Sequence, residues 1–185
     1  MATPPSVQNY AVGKGKLSIA LFTGGTPGTY SFMGNAPSVE VEPSLDRLPH
    51  YSSQEGFRVK DANPIIQTDY VVNFSVDEIA AVNLNRYLMG TLVGGNVIQM
   101  LQGIGKEYAL RFRSYNPYGK NQRWDFWKGT LSPNGSMQLI GDEWMVMAFT
   151  FEGLADKVNH SGSPYADITF VSTTTTTTST TTTTP

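Results

Sequence analysis

The sequence predicts a mainly β domain that carries one α-helix. Three observations lead there. Short segments place apolar residues at alternate positions, the two-residue period of a strand. Eighteen glycines and eleven prolines break the chain into such segments. Only residues 77–89 space their apolar side chains for a helix. At 185 residues the chain is the size of one domain with arms, and about 70% of its unfolded surface would be buried on folding.

Residues 1–15 read as an arm: polar, with Pro4-Pro5, and without an apolar period. The domain proper is expected over 16–171. Its first strand is 16–22, stopped by Thr23-Gly24-Gly25-Thr26-Pro27-Gly28. Short strands follow at 30–34 and 38–42. In the second, Val39 and Val41 face one way and Glu40 and Glu42 the other. Residues 43–64 are expected as a long loop with a brief strand-like piece at 57–59. Loops of that length in compact domains are usually functional or disordered. Leu45, Leu48, Tyr51 and Phe57 are too apolar for a linker, so this segment is expected to order against another chain.

Residues 65–76 give the clearest strand, with Tyr70, Val72, Phe74 and Val76 on one face and Asp69, Val71, Asn73 and Ser75 on the other. The helix follows at 77–89. Ser75-Val76-Asp77-Glu78 fits a capping box, Ala80, Ala81, Leu84, Tyr87 and Leu88 form the apolar stripe, and Gly90 is the stop. This helix should cover an open sheet face. Further strands are expected at 96–101, 106–115, 122–131, 136–140, 143–152 and 166–171. The segment 143–152 is apolar on both faces, which predicts a central strand covered on both sides. Residues 172–185 are a Thr-rich tail of low complexity that cannot build a core.

Composition narrows the function. Thirteen basic residues against fifteen acidic leave a net charge of −2, which excludes a strongly basic protein that grips phosphates. Charged residues make up only 15% of the chain, below the usual ~25%. A surface so poor in charge suits a subunit covered by its neighbours. The absence of cysteine excludes disulfides, thiolate metal sites and a cysteine nucleophile. The longest apolar run, 144–149, is far too short for a membrane helix, and the opening residues lack the apolar stretch of a signal peptide.

Catalytic chemistry is sparse. His50 and His160 stand alone among polar loop residues, and no cluster has metal-ligand spacing. Val12-Gly13-Lys14-Gly15-Lys16 lacks the spacing of a phosphate loop and precedes a strand instead of a helix. Glu40/Glu42 and Asp142/Glu143 are acid pairs without a visible cleft. Tyr115, Tyr118, Trp124 and Trp127 could stack on sugars or bases, but at strand spacing half of them must face the core. An enzyme is therefore not the expected reading.

The segments Asn9-Tyr10-Ala11-Val12-Gly13-Lys14-Gly15-Lys16, Met33-Gly34-Asn35-Ala36-Pro37-Ser38-Val39 and His50-Tyr51-Ser52-Ser53-Gln54-Glu55-Gly56 with Lys60-Asp61 resemble the major tail tube proteins of long non-contractile-tailed bacteriophages. The resemblance spans about residues 7–171, includes the strand and helix in the middle, and leaves the Thr-rich tail outside. It implies a β-sandwich or barrel-type tail-tube fold with one flanking helix. It also implies hexameric rings whose inner strands close into a barrel and which stack into a tube. The implied partners are further copies of the chain, tape-measure, terminator and tail-tip proteins, and double-stranded DNA in transit, with no membrane and no cofactor. The implied location is the virion tail, assembled in the host cytoplasm.

A DNA conduit should not hold its cargo, so its wall should be acidic or neutral. On that basis Glu40, Glu42 and Asp69, on the non-apolar faces of their strands, are the expected lumen-facing acids. Asp46, Arg47, Tyr51, Arg58, Lys60 and Asp61 are the expected ring–ring contacts. Two alternatives remain: another virion component, such as a terminator or contractile-tail inner tube, and a carbohydrate-binding β-sandwich.

Overall fold

The computed structural model describes residues 6, 9–53 and 56–171. The expected tail at 172–185 and most of the first eight residues lie outside them. The elements are β1 (Gly15–Thr23), β2 (Thr26–Pro27), β3 (Ser31–Phe32), β4 (Ser38–Arg47), β5 (His50–Ser52), β6 (Val59–Ala62), β7 (Ile65–Val76), α1 (Ala81–Tyr87), β8 (Thr91–Val93), β9 (Val97–Gln99), β10 (Glu107–Ser114), β11 (Asn121–Pro133), β12 (Met147–Gly153) and β13 (Ala166–Val171). Among the described residues the expected mainly β fold with one helix is what forms. Among the described residues no helix is long and apolar enough to cross a membrane.

One nine-stranded sheet dominates, in the order β2-β1-β10-β11-β12-β7-β4, with β13 added to β11 and β3 to β1. Its pairings are antiparallel. The sheet curls, because Val39 and Val41 of β4 line the same groove as Phe112 of β10 and Trp124 of β11, several strands away. A single curled sheet thus does the work that a second sandwich layer would do. Leu17 and Ile19, Tyr70 to Val76 at every second position, Leu110, Phe126, Met147, Phe149 and Phe151 point inward. Phe74 stacks on Phe149 at 5.1 Å and Tyr70 on Phe126 at 5.6 Å. Such aromatic pairs add to the burial that holds the sheet in its curl.

Helix α1 closes one end of the concave face. Tyr87 meets the edge of Phe149 at 5.6 Å and donates its hydroxyl to the Gly135 carbonyl at 2.9 Å. Buried Asn83 donates to the Met33 carbonyl at 2.8 Å, so the helix is tied to the β3–β4 connection. The helix is shorter than 77–89, and the capping box is not formed: the cap is Ala80, with no side-chain bond. The reason is competition. Ser75 and Val76 stay in β7, where they pair with Ala148 and Met147, and the Ser75 hydroxyl meets that of Ser38 at 2.8 Å.

The segment 43–64 is not a loop. β4 pairs with β7 from Ser38↔Ser75 to Arg47↔Ile65, and β5 pairs with β6 at the tip. Its polar residues hid the strands, because from Ser44↔Asp69 outward neither face of this ladder is buried and the period-two burial signal is absent. Pro43 sits within β4, and β4 is an edge strand, where a missing N–H is tolerated. Two further expectations fail. Residues 136–140 form no strand. β12 is central, but only Met147, Phe149 and Phe151 are buried; Ala148 and Thr150 are half-buried and Glu152 is exposed. The strand begins at Met147, and Trp144 is 92% exposed before it.

At the paired positions Gly129 and Gly153, a Cβ at Gly153 would overlap the Tyr70 ring and one at Gly129 the Phe151 ring. Two glycines side by side let the aromatic rings lie directly on backbone.

Candidate functional site

The strand β12 supports β7 only over Val71–Val76. Beyond it, β4 and β7 continue as a two-stranded arm. Its length follows from about 3.3 Å per residue, so the five pairs beyond Glu42↔Val71 carry it roughly 17 Å out before the β5–β6 tip begins. The arm carries Leu45, Leu48, Tyr51, Phe57, Val59, Ile65 and Ile66, all exposed. A hairpin alone in water is marginal at best, and apolar side chains on it gain nothing until something covers them.

The expected contact residues all lie on this arm. Asp46 pairs with Gln67, and Arg47 follows at a register shift opposite Ile65, with its Nη1 donating to the Asn63 carbonyl at 3.4 Å. The Arg58 guanidinium lies 4.9 Å over the Tyr51 ring, and Tyr51 pairs with Lys60 across β5 and β6. His50 Nδ1 lies 2.6 Å from Asp61 Oδ1. That hydrogen bond holds the Asp61 carboxyl below the usual carboxylate range. Sequence reasoning treated His50 as solitary; the partner sits eleven residues away and becomes visible only once β5 and β6 are paired.

Glu40, Glu42 and Asp69 share one face, opposite the core. Glu40 lies beside Asn73, Glu42 beside Val71, and Ser44 beside Asp69, whereas the alternating residues Tyr70, Val72 and Phe74 are buried. The row runs on to β12, where Glu152 pairs with Val71 and Thr150 with Asn73. Thr150 donates its hydroxyl to Asn73 Oδ1 at 2.9 Å, and Gln67 donates to Asp69. By alternation Asp46 belongs here too. No Lys or Arg lies on this face over Ser38–Asp46, Asp69–Ser75 and Ala148–Glu152. Glu152 escaped the sequence reading because a strand's period identifies its face but not its neighbours.

The far end of the same face is basic and tied down. Asp125, whose side chain is 1% exposed, is gripped by Arg111 and by Arg123 Nε, the latter at 2.6 Å. Tyr30 lies 4.1 Å over the Arg111 guanidinium, and burial pushes its hydroxyl pKa up. Lys16 and Arg113 are paired neighbours on β1 and β10 and both are exposed.

The aromatic set does not form a platform. Trp124 packs toward Phe126, and Trp127 stacks on His160 at 3.7 Å with its Nε1 donating to the Ser163 carbonyl at 3.0 Å. Tyr115 and Tyr118 stay exposed. His160 belongs to a loop held by buried Asp156. Burial alone would raise the Asp156 pKa, but hydrogen bonds from Asn159 and the nearby His160 bring it below the ordinary value.

A family model described as "Protein of unknown function UCP028589" matches residues 10–94 and 91–169 of the chain. No curated protein matches it. Among solved structures the chain is similar to one described as "Tail of empty GTA particle computed with helical refinement, C6 symmetry", at 12% identity and a TM-score of 0.40, over 84% of this chain and 96% of that chain.

Proposed function

We propose that this chain, which belongs to the family described as "Protein of unknown function UCP028589", is a structural subunit of a phage-like tail tube. Copies join into hexameric rings, the rings stack, and the lumen conducts double-stranded DNA during ejection. The role is architectural, with no reaction to catalyse. The observation that carries this reading is the arm. The pairs from Ser44↔Asp69 to Arg47↔Ile65 lead away from the core and end in exposed apolar residues, a shape that is unfavourable in isolation and useful only against a neighbour.

Charge supports the same arrangement. The outer face of β4, β7 and β12 gathers acids with no lysine or arginine among them, and the exposed bases Lys16 and Arg113 lie at the other end. Glu40, Glu42, Asp69 and Glu152 then serve as the repulsive wall past which DNA slides, since neutral or acidic surfaces release no condensed counterions from DNA. The six arm residues named above make ring-to-ring contacts, and tape-measure, terminator and tip proteins bound the tube. The tail of a virion assembled in the host cytoplasm is its place.

Light scattering of the full chain over a concentration series, followed by negative-stain microscopy, tests the proposal. Rings or hollow tubes are expected. A monomer at every concentration that is also missing from particle shafts would overturn it.

A further inference from the structure

The connection from β11 to β12 leaves Leu139, Ile140 and Trp144 72%, 90% and 92% exposed. The charges within and beside it are acids. Asp142 and Glu143 belong to the loop, and Asp77 lines the same hollow as Glu143 and Trp144. Among the described residues no base lines that hollow. An indole left almost wholly in water gains nothing until a partner covers it.

The first half of β11 carries the complement. On its concave side the curled sheet leaves an apolar groove of about 310 Å³, lined by Val39, Val41, Phe112, Gln122, Trp124 and Phe126. Phe170 of β13 pairs with Gln122 at its rim and is 62% exposed. The hollows on either side share walls with this groove, and each brings one base: Lys14 beside Val39 and Phe112, Lys120 beside Gln122. Both lysines are exposed. Among the described residues the walls of all three hold no carboxylate.

We propose that the 139–144 loop of one copy seats in the groove of the next, with Trp144 against Trp124 and with Asp142 and Glu143 meeting Lys14 and Lys120. Two observations choose this occupant. The apolar residues of the arm stand among both signs of charge, Arg47, Arg58 and Lys60 with Asp46 and Asp61, whereas the loop carries acids alone, the sign that the lysines attract. Gln122 and Pro133 are eleven steps apart on β11, about 36 Å along the strand, so the loop does not reach the Gln122 end of its own groove. A contact between two unlike patches repeats from copy to copy and closes into a ring or runs on as a filament. The inference rests on the reading of the chain as a tail-tube subunit and adds the surfaces that join its copies.

The chain lacks cysteine, so introduced thiols report cleanly. On mild oxidation, Ile140→Cys with Phe170→Cys should give a ladder of linked dimers, trimers and longer species whose yield rises with protein concentration. An equal mixture of the two single variants should stop at dimers, and neither single variant should cross-link to itself. Val158→Cys with Phe170→Cys should give no ladder, although Val158 is as exposed as Trp144. Adding Trp144→Asp to the double-cysteine chain should abolish the ladder and leave the unfolding midpoint unchanged. Lys14→Glu with Lys120→Glu should cut the yield about tenfold, and Asp142→Lys with Glu143→Lys should then restore it. A chain that assembles without this ladder, or with one indifferent to Trp144→Asp and to the charge swap, would refute the contact and leave the tail-tube reading standing. So would self-linking of Ile140→Cys, which would pair loop with loop, or an equal ladder from Val158→Cys. A chain that is monomeric at every concentration overturns both.

Discussion

Arg123 Nε and Asp125 Oδ2 are 2.6 Å apart although they sit on the same strand, two positions from each other. The contact exists because Asp125 is sealed beneath the sheet surface while both of its arginines keep partial access to water. Removing the acid leaves Arg111 and Arg123 facing each other without a counter-ion. Asp125→Ala should lower unfolding free energy by about 3 kcal/mol, measured by urea denaturation. A loss below ~1 kcal/mol, the range of exposed pairs, would show that the arginines rehydrate freely.

Gly153→Ala should be destabilising by about 2 kcal/mol, as for an overpacked core. The new methyl overlaps the Tyr70 ring, and Tyr70 also touches Phe126, Phe151 and Tyr165. Adding Tyr70→Leu should recover part of the loss, a non-additivity that a double-mutant cycle reads directly.

Arm substitutions should separate folding from assembly. Leu45 and Ile66 are 54% and 62% exposed, so Leu45→Asp with Ile66→Asp should change monomer stability by no more than about 0.5 kcal/mol per site. The same pair should abolish rings or tubes by microscopy. Arg58→Glu should weaken assembly in the same way, and tubes that persist unchanged would remove Arg58 from the contact.

Low pH should loosen the loop that carries Asn159 and His160. The Asp156 carboxyl titrates below its ordinary value of 3.8, so its contribution is complete above that value and is lost as the pH falls through the lower folded one. Protection factors at Asn159 and His160, taken relative to the intrinsic exchange rate at each pH, should fall on acidification, and Asp156→Asn should flatten that dependence.

The acidic face should decide how the assembly treats DNA. Replacing Glu40, Glu42 and Asp69 together by lysine should create duplex binding that weakens steeply with salt, whereas the parent chain should retain none in a filter-binding measurement.

β7 was legible because Tyr70, Val72, Phe74 and Val76 alternate with polar residues and one face is buried. The arm was illegible for the converse reason: at Pro43, Ser44 and Asp46 both faces meet solvent, so backbone pairing alone makes the strand. The capping-box signature at Ser75 and Glu78 was a local preference overridden by the ladder to β12. Period two placed Glu40, Glu42 and Asp69 on the non-apolar faces of their own strands, and the β4–β7 register brings those faces together. It could not place Glu152 or join His50 to Asp61, since partners across a sheet are fixed by topology.

The register of β1 carries a kinetic consequence. Lys16 lies opposite Arg113 and Ile19 opposite Leu110, so the first strand has to wait for a partner made some ninety residues later. Contacts of such separation close slowly. On the ribosome the β4–β7 hairpin can zip as soon as it emerges, while β1 stays open until β10 has left the exit tunnel. Every newly made chain therefore displays the apolar residues of that limb before its body has closed, an interval in which exposed apolar surface invites aggregation.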